Sequence, residues 1–313
     1  MKGAPLEAAA AARAPQRRTL QAEIAALMQD FSLEKTPGEV ALLRSLPADL
    51  PHGSRVYITW IIGNDFTRTL SAAVRLRKLG MQPVPHLAAR AIAHVEALEI
   101  MLAALHREAG VDHALLVAGS ARNALGRFDS TLAALATGQI ERHGFRALGV
   151  AGHPEGSPDI APDALTQALR DKNEYALRST LRLHLVTQFC FEAAPVVAWE
   201  RQARASGNRL PVHVGLAGLA SVPTLIKYAR HCGVGASLGT LTRQAARVFK
   251  LSAGVAPGEV VVALAAARLA EPAGLISQLH FYPFGAFDAT VAWAAAVARG
   301  DFRLIRDDRD IAV

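Results

Sequence analysis

Short runs of apolar residues recur along this 313-residue chain, each separated from the next by a longer stretch with helical spacing of its apolar positions. The runs predict strands at 31–36 ("FSLEKT"), 56–62 ("VYITWII"), 82–87 ("QPVPHL"), 113–119 ("HALLVAG") and 146–152 ("RALGVAG"). Three more follow at 183–191 ("LHLVTQFCF"), 211–217 ("PVHVGLA") and 277–283 ("SQLHFYP"). Between them, "TRTLSAAVRLRKLG" predicts a helix stopped by Gly80, and "AIAHVEALEIMLAALHREAG" a longer one stopped by Gly110. "SVPTLIKYARHCG" opens a third, with Ser221 as the N-cap and Pro223 in the first turn.

Eight strands alternating with helices predict an α/β chain folded as a closed (β/α)8 TIM barrel, with extra helices between strands seven and eight. An open doubly wound sheet would call for a glycine-rich phosphate turn after its first strand, and "PGEVALLRSLP" has none. The glycine-rich stretch "GVGASLG" (233–239) follows a helix instead of a strand and reads as a helix-to-helix loop, with phosphate contact as the alternative. No linker or repeat divides the chain, so residues 1–18 are expected to be a flexible tail and 19–313 a single catalytic barrel domain.

Composition narrows the setting. Hydrophobic residues make up 51% of the chain and charged ones 19%, enough for a sizeable core, and no apolar run is long enough to span a membrane. The N-terminal "MKGAPLEAAAAARAPQRR" lacks the leucine-rich core of a secretory signal. Cys190 and Cys232 are too far apart to suggest a zinc site or a disulfide framework, which points to a reducing, cytoplasmic setting. The net charge of +7 is carried by scattered arginines without a recognition motif, so it favours small anions over nucleic acid.

Barrels carry their chemistry at the C-terminal ends of the strands, and polar residues gather there. Glu34 ends strand one, Thr59 lies late in strand two, and His86 ends strand three. Ser120 follows strand four, and His153 and Glu155 follow strand five. Gln188 sits late in strand six, with His280 and Tyr282 in strand eight. An amide inside "LVTQFCF" is out of place in an apolar strand unless a ligand meets it. No HxH or HExxH spacing supports a metal.

Together, "PHL", "HPEG", "TQFCFE" and "HFYPF" resemble the methylenetetrahydrofolate reductase family, and "SLEKTP" is similar to that family's Glu-aromatic-aromatic-Pro stretch. The motifs fall in the family's order over about residues 30–285. The resemblance implies reduction of 5,10-methylenetetrahydrofolate to 5-methyltetrahydrofolate with NAD(P)H, or the reverse oxidation in one-carbon catabolism. Glu34 would be the general acid, with its pKa raised by partial burial. Gln188 would hydrogen-bond the pterin, with Thr59, His280 and Tyr282 lining the substrate site.

On the cofactor side the resemblance implies His86, Ser120, His153, Glu155 and Lys172, the last as a flavin-phosphate lysine. The chain departs from the FAD-dependent pattern in two places. Ala118-Gly119-Ser120 replaces Arg-Gly-Asp after strand four, and His153-Pro154-Glu155-Gly156-Ser157 replaces Tyr-Pro-Glu-x-His. It looks closer to the flavin-free relatives, and FAD stays open. Lys227 and Arg243 are candidates for contact with a folate tail or a cofactor phosphate. The alternatives are a non-catalytic folate-binding barrel or accessory subunit, and an unrelated barrel lyase or transferase.

Overall fold

The computed structural model describes residues 19–61, 63, 65–119, 121, 123–231 and 256–313. Eight parallel strands close into a barrel in sequence order: β1 (Ser32–Lys35), β2 (Arg55–Ile58), β3 (Gln82–Ala88), β4 (His113–Val117), β5 (Ala147–Gly152), β6 (Arg182–Cys190), β7 (Val212–Ala217) and β8 (Ile276–Tyr282). The chain is therefore the TIM barrel its periodicity predicts. Two described helices, Val222–His231 and Gly258–Ala270, lie between β7 and β8. The tail 1–18, Ser120, Cys232, "GVGASLG" and Arg243 lie outside the described residues.

The outer faces of the strands are aliphatic. Leu33, Val56, Ile58, Leu116, Leu148, Leu185, Val214 and Leu279 join one core with the apolar stripes of the surrounding helices. Each such side chain contributes about 1.5–3 kcal/mol on burial. The helix Phe66–Lys78 stops where Gly80 takes a φ of 81°, a conformation glycine adopts without a Cβ penalty. The next helix is shorter than its pattern, Val95–Ala109, because His94 serves as its N-cap and accepts the Ala97 N–H at 3.2 Å. Ser221 bonds the Thr224 hydroxyl at 2.9 Å. A hairpin near the C-terminus, β9 (Arg303–Ile305) with β10 (Asp310–Ala312), packs on the helix Gly258–Ala270 and was not foreseen from the pattern.

One irregularity shapes the upper rim. The pairing of β6 with β7 shifts between Val186 and Phe189, where Thr187 Oγ1 accepts the Gly215 N–H at 2.8 Å. A Cβ on Gly215 would lie 2.5 Å from the Thr187 carbonyl oxygen and 2.7 Å from that of Gln188. Only glycine lets β7 approach this bulge. Gly215→Ala should therefore cost about 2 kcal/mol or more, read as a lower urea midpoint; an unchanged midpoint would show that the bulge yields freely.

Candidate functional site at the C-terminal rim

Alternation along each strand turns every second residue into the barrel. In β1 this brings Ser32 and Glu34 inward, while Lys35 points outward and sets its Nζ 3.9 Å over the Phe287 ring. The neighbouring lysine is thus on the opposite face from the carboxylate. Glu34 meets three of the residues that the sequence singled out. Its Oε1 accepts from the Thr59 hydroxyl at 2.6 Å, and its Oε2 lies 3.3 Å from His280 Nε2 and 3.5 Å from His86 Nε2.

A buried relay decides how His280 is protonated. Arg55 can only donate, so its 2.8 Å bond to Gln278 Oε1 orients that amide with Nε2 toward Ser32 Oγ, 3.1 Å away. The Ser32 proton then turns to His280 Nδ1 at 2.9 Å, which leaves Nε2–H to donate to Glu34. In that tautomer the Nε2–H is aimed at the carboxylate.

The electrostatics reverse one expectation. Burial pushes the Glu34 carboxyl up, but the attraction of His86 in its protonated form, together with the His280 and Thr59 hydrogen bonds, outweighs it and holds the group below the usual carboxylate value, so Glu34 loses its proton before His86 does. Glu34 rests ionised, not as the stored acid expected from burial alone. Burial keeps the His86 imidazole low despite the nearby carboxylate, so His86 rests neutral.

Tyr282 extends the cluster, its ring 4.7 Å from that of His280 and its hydroxyl donating to the Thr187 carbonyl at 3.0 Å. Next to Thr187 in the bulge, Gln188 is exposed at the rim and accepts the Phe189 N–H on Oε1 at 3.1 Å, which keeps its amide N–H donors for a ligand. Phe189, Tyr282, Phe284 and Tyr228 form an aromatic wall beside it. Lys227 is exposed on the helix after β7.

The cofactor-side residues form a separate group. Lys172 is buried against β5 and donates to the Ala151 carbonyl at 2.8 Å. His153 is near it, pushed down to about 4 by burial and by the Lys172 charge, and Glu155 is close enough to Cys190 to help raise its thiol. These residues do not make a flavin-phosphate cradle. Lys172 is 5% exposed and spends a proton on the backbone, while His86 is aimed at Glu34. Among the described residues no group of three or more His, Cys, Asp or Glu is placed to hold a metal ion, and no helix is long and apolar enough to cross a membrane.

Sequence reasoning missed the lower half of the interior: Tyr57, His113, His184, His213, Ser32 and Gln278. The signal was present as a polar residue at alternating positions in apolar strands, in "VYI", "LHLV" and "PVHV".

The fold and site define a (β/α)8 barrel with a carboxylate–imidazole cluster at its C-terminal rim. No family model matches the chain. Among solved structures, it is similar to an uncharacterized protein from Clostridium thermocellum that binds two copies of 5-methyl-5,6,7,8-tetrahydrofolic acid, at 12% identity over 86% of this chain and 93% of that one, with a TM-score of 0.49. It is also similar to a variant of actinorhodin polyketide ketoreductase with NADPH, at 19% identity over 84% of this chain and 99% of that one, with a TM-score of 0.26. Both likenesses are too distant to bear on function.

Burial lowers the Lys172 ammonium from its ordinary 10.5 to about 8. Between those values the unfolded chain binds more protons than the folded one, so this residue makes stability rise with pH across that window. Removing the penalty with Lys172→Met should stabilise the protein at pH 7 by about 2 kcal/mol, net of the lost hydrogen bond. The gain should shrink above pH 10. Urea unfolding at the two pH values checks it, and a destabilised variant at pH 7 would count against a costly buried ammonium.

Proposed function

We propose that this chain is a folate-dependent oxidoreductase of the methylenetetrahydrofolate reductase type, interconverting 5,10-methylenetetrahydrofolate and 5-methyltetrahydrofolate. The observation that carries the reading is Glu34 at the barrel's C-terminal rim, bonded by Thr59 and His280 and 3.5 Å from His86. NAD(P)H supplies the hydride as a co-substrate. Residues 19–313 form the catalytic barrel in this reading.

Opening the imidazolidine ring creates a cationic iminium at folate N5, and an ionised carboxylate beside it stabilises that charge. The proton for the leaving nitrogen enters through the Glu34–His86 pair. His280, held as the Nε2–H tautomer by Ser32, keeps the carboxylate oriented through that transfer. Gln188 offers donors and an acceptor to the pterin's amide and amino groups without a charge, with Tyr282 beside it.

Glu34→Gln should lower turnover by about 10²–10⁴-fold while the variant still binds tetrahydrofolate; full NAD(P)H oxidation by it would remove Glu34 from the chemistry. Because both members of the pair rest deprotonated, the competent form is the protonated minority at neutral pH. Log kcat/KM should therefore fall by about one per pH unit through neutrality, and a flat profile would sink the proton-relay role. Gln188→Leu should weaken folate binding about tenfold, measured by titration calorimetry; unchanged affinity would take the amide out of the site.

A second reading, a folate-binding barrel without turnover, is favoured by the ionised resting state of Glu34, since a binding site for a cationic pterin needs no acid. Tight folate binding with no NAD(P)H oxidation at any pH would select it.

A further inference from the structure

At the opposite end of the barrel, the first residues of the strands enclose a cavity of about 600 Å³. It lies at the N-terminal mouth, lined by Arg55 of β2, His113 of β4, Arg182 and His184 of β6 and His213 of β7. An apolar layer of Tyr57, Val84, Leu115 and Val186 lies above it in the barrel interior, toward the Glu34 end. The cavity is therefore not part of the site at the upper rim.

Its charge is one-sided. Arg55, Arg77 and Arg182 line it against a single carboxylate, Asp112, so three positive charges less one negative leave two positive. Arg77 is spent on the carbonyls of Ala109 and Gly110, each at 2.8 Å, and Arg55 on Gln278 and the Asp30 carbonyl. The Arg182 guanidinium, exposed at the start of β6, has no hydrogen bond or ion pair among the described residues.

The floor is equally particular. His184 and His213 stack with centroids 4.1 Å apart, and His113 meets His184 edge-on at 5.0 Å. His113 Nε2 and His213 Nδ1 are buried without a hydrogen-bond partner among the described residues. Barrel interiors are ordinarily filled here with branched aliphatics, which would pack without that penalty. Burial first, then neighbouring imidazoles and Arg55, keep these rings neutral, so they can both accept and donate. A polar floor beneath an unpaired guanidinium and a net double positive charge fits a ligand of the opposite charge.

We propose that the N-terminal mouth is a second ligand site, which takes a small molecule bearing a doubly charged oxyanion group, a phosphate or a pair of carboxylates, held by Arg182 over the imidazole floor, with the fixed Arg55 and Arg77 charges adding only long-range attraction. Neither folate chemistry nor turnover enters this assignment, so it stands or falls apart from the proposed reaction.

The test is titration calorimetry of the full chain at low ionic strength with inorganic phosphate and, separately, with citrate. Saturable one-to-one binding of either probe is expected, and which one binds identifies the phosphate or the carboxylate source. Arg182→Ala should weaken it by about tenfold or more, as should His213→Phe, while Arg299→Ala, on the outer surface, should leave it unchanged. Arg182 is exposed, so its variant tests binding without disturbing the core. Absence of saturable binding with both probes, equal affinity in Arg182→Ala, or an equal loss in Arg299→Ala would overturn the site.

Discussion

Closure of β1 onto β8 is the contact on which the rest of this barrel depends. Across that seam Ser32 pairs with His280, and only there can Gln278 reach Ser32 and His280 reach Glu34. Ser32, Gln278 and His280 are all sealed from solvent. A buried polar group left without a partner costs about 1–3 kcal/mol, so the relay and the closed seam stabilise one another. The same relay runs from Arg55 at the N-terminal mouth to the carboxylate at the opposite rim and sets the tautomer of the imidazole that faces it.

Such an interior is sustained by the outer faces of the same strands. In β2, Val56 and Ile58 pack outward while Arg55 and Tyr57 turn in; in β6, Leu183 and Leu185 pack outward while His184 and Val186 turn in. Aliphatic burial between strands and helices supplies the stabilisation. The inward positions are thereby released from packing duty and can hold histidines, an arginine, a glutamine and a glutamate.

Glu34 shows why a site's chemistry is not the sum of its residues. Burial alone would store a proton on this carboxyl, but two imidazoles and a hydroxyl converge on it and hold it ionised. The consequence for mechanism is a change of role, from a preloaded acid to a carboxylate that steadies a cation and relays a proton with His86. Gln188 is likewise placed by its surroundings. The bulge that lets Gly215 approach Thr187 leaves the amide exposed at the rim, beside the strand that Tyr282 anchors.

Much was legible in the residues themselves. Period-two and helical spacing are local properties, and all eight strands, the barrel class and the additional helices before β8 follow from them. The clustering of Glu34, Thr59, His86 and His280 was legible as well, because strand ends in a barrel share one face. The direction of the Glu34 shift, the separate burial of Lys172 and the histidine floor at the N-terminal mouth were not. Each depends on which inward side chains of non-adjacent strands meet across the barrel axis, at distances of 3 to 5 Å set by strand closure and stagger. The order of residues along one strand determines which face each side chain takes; only the closed barrel decides what it faces.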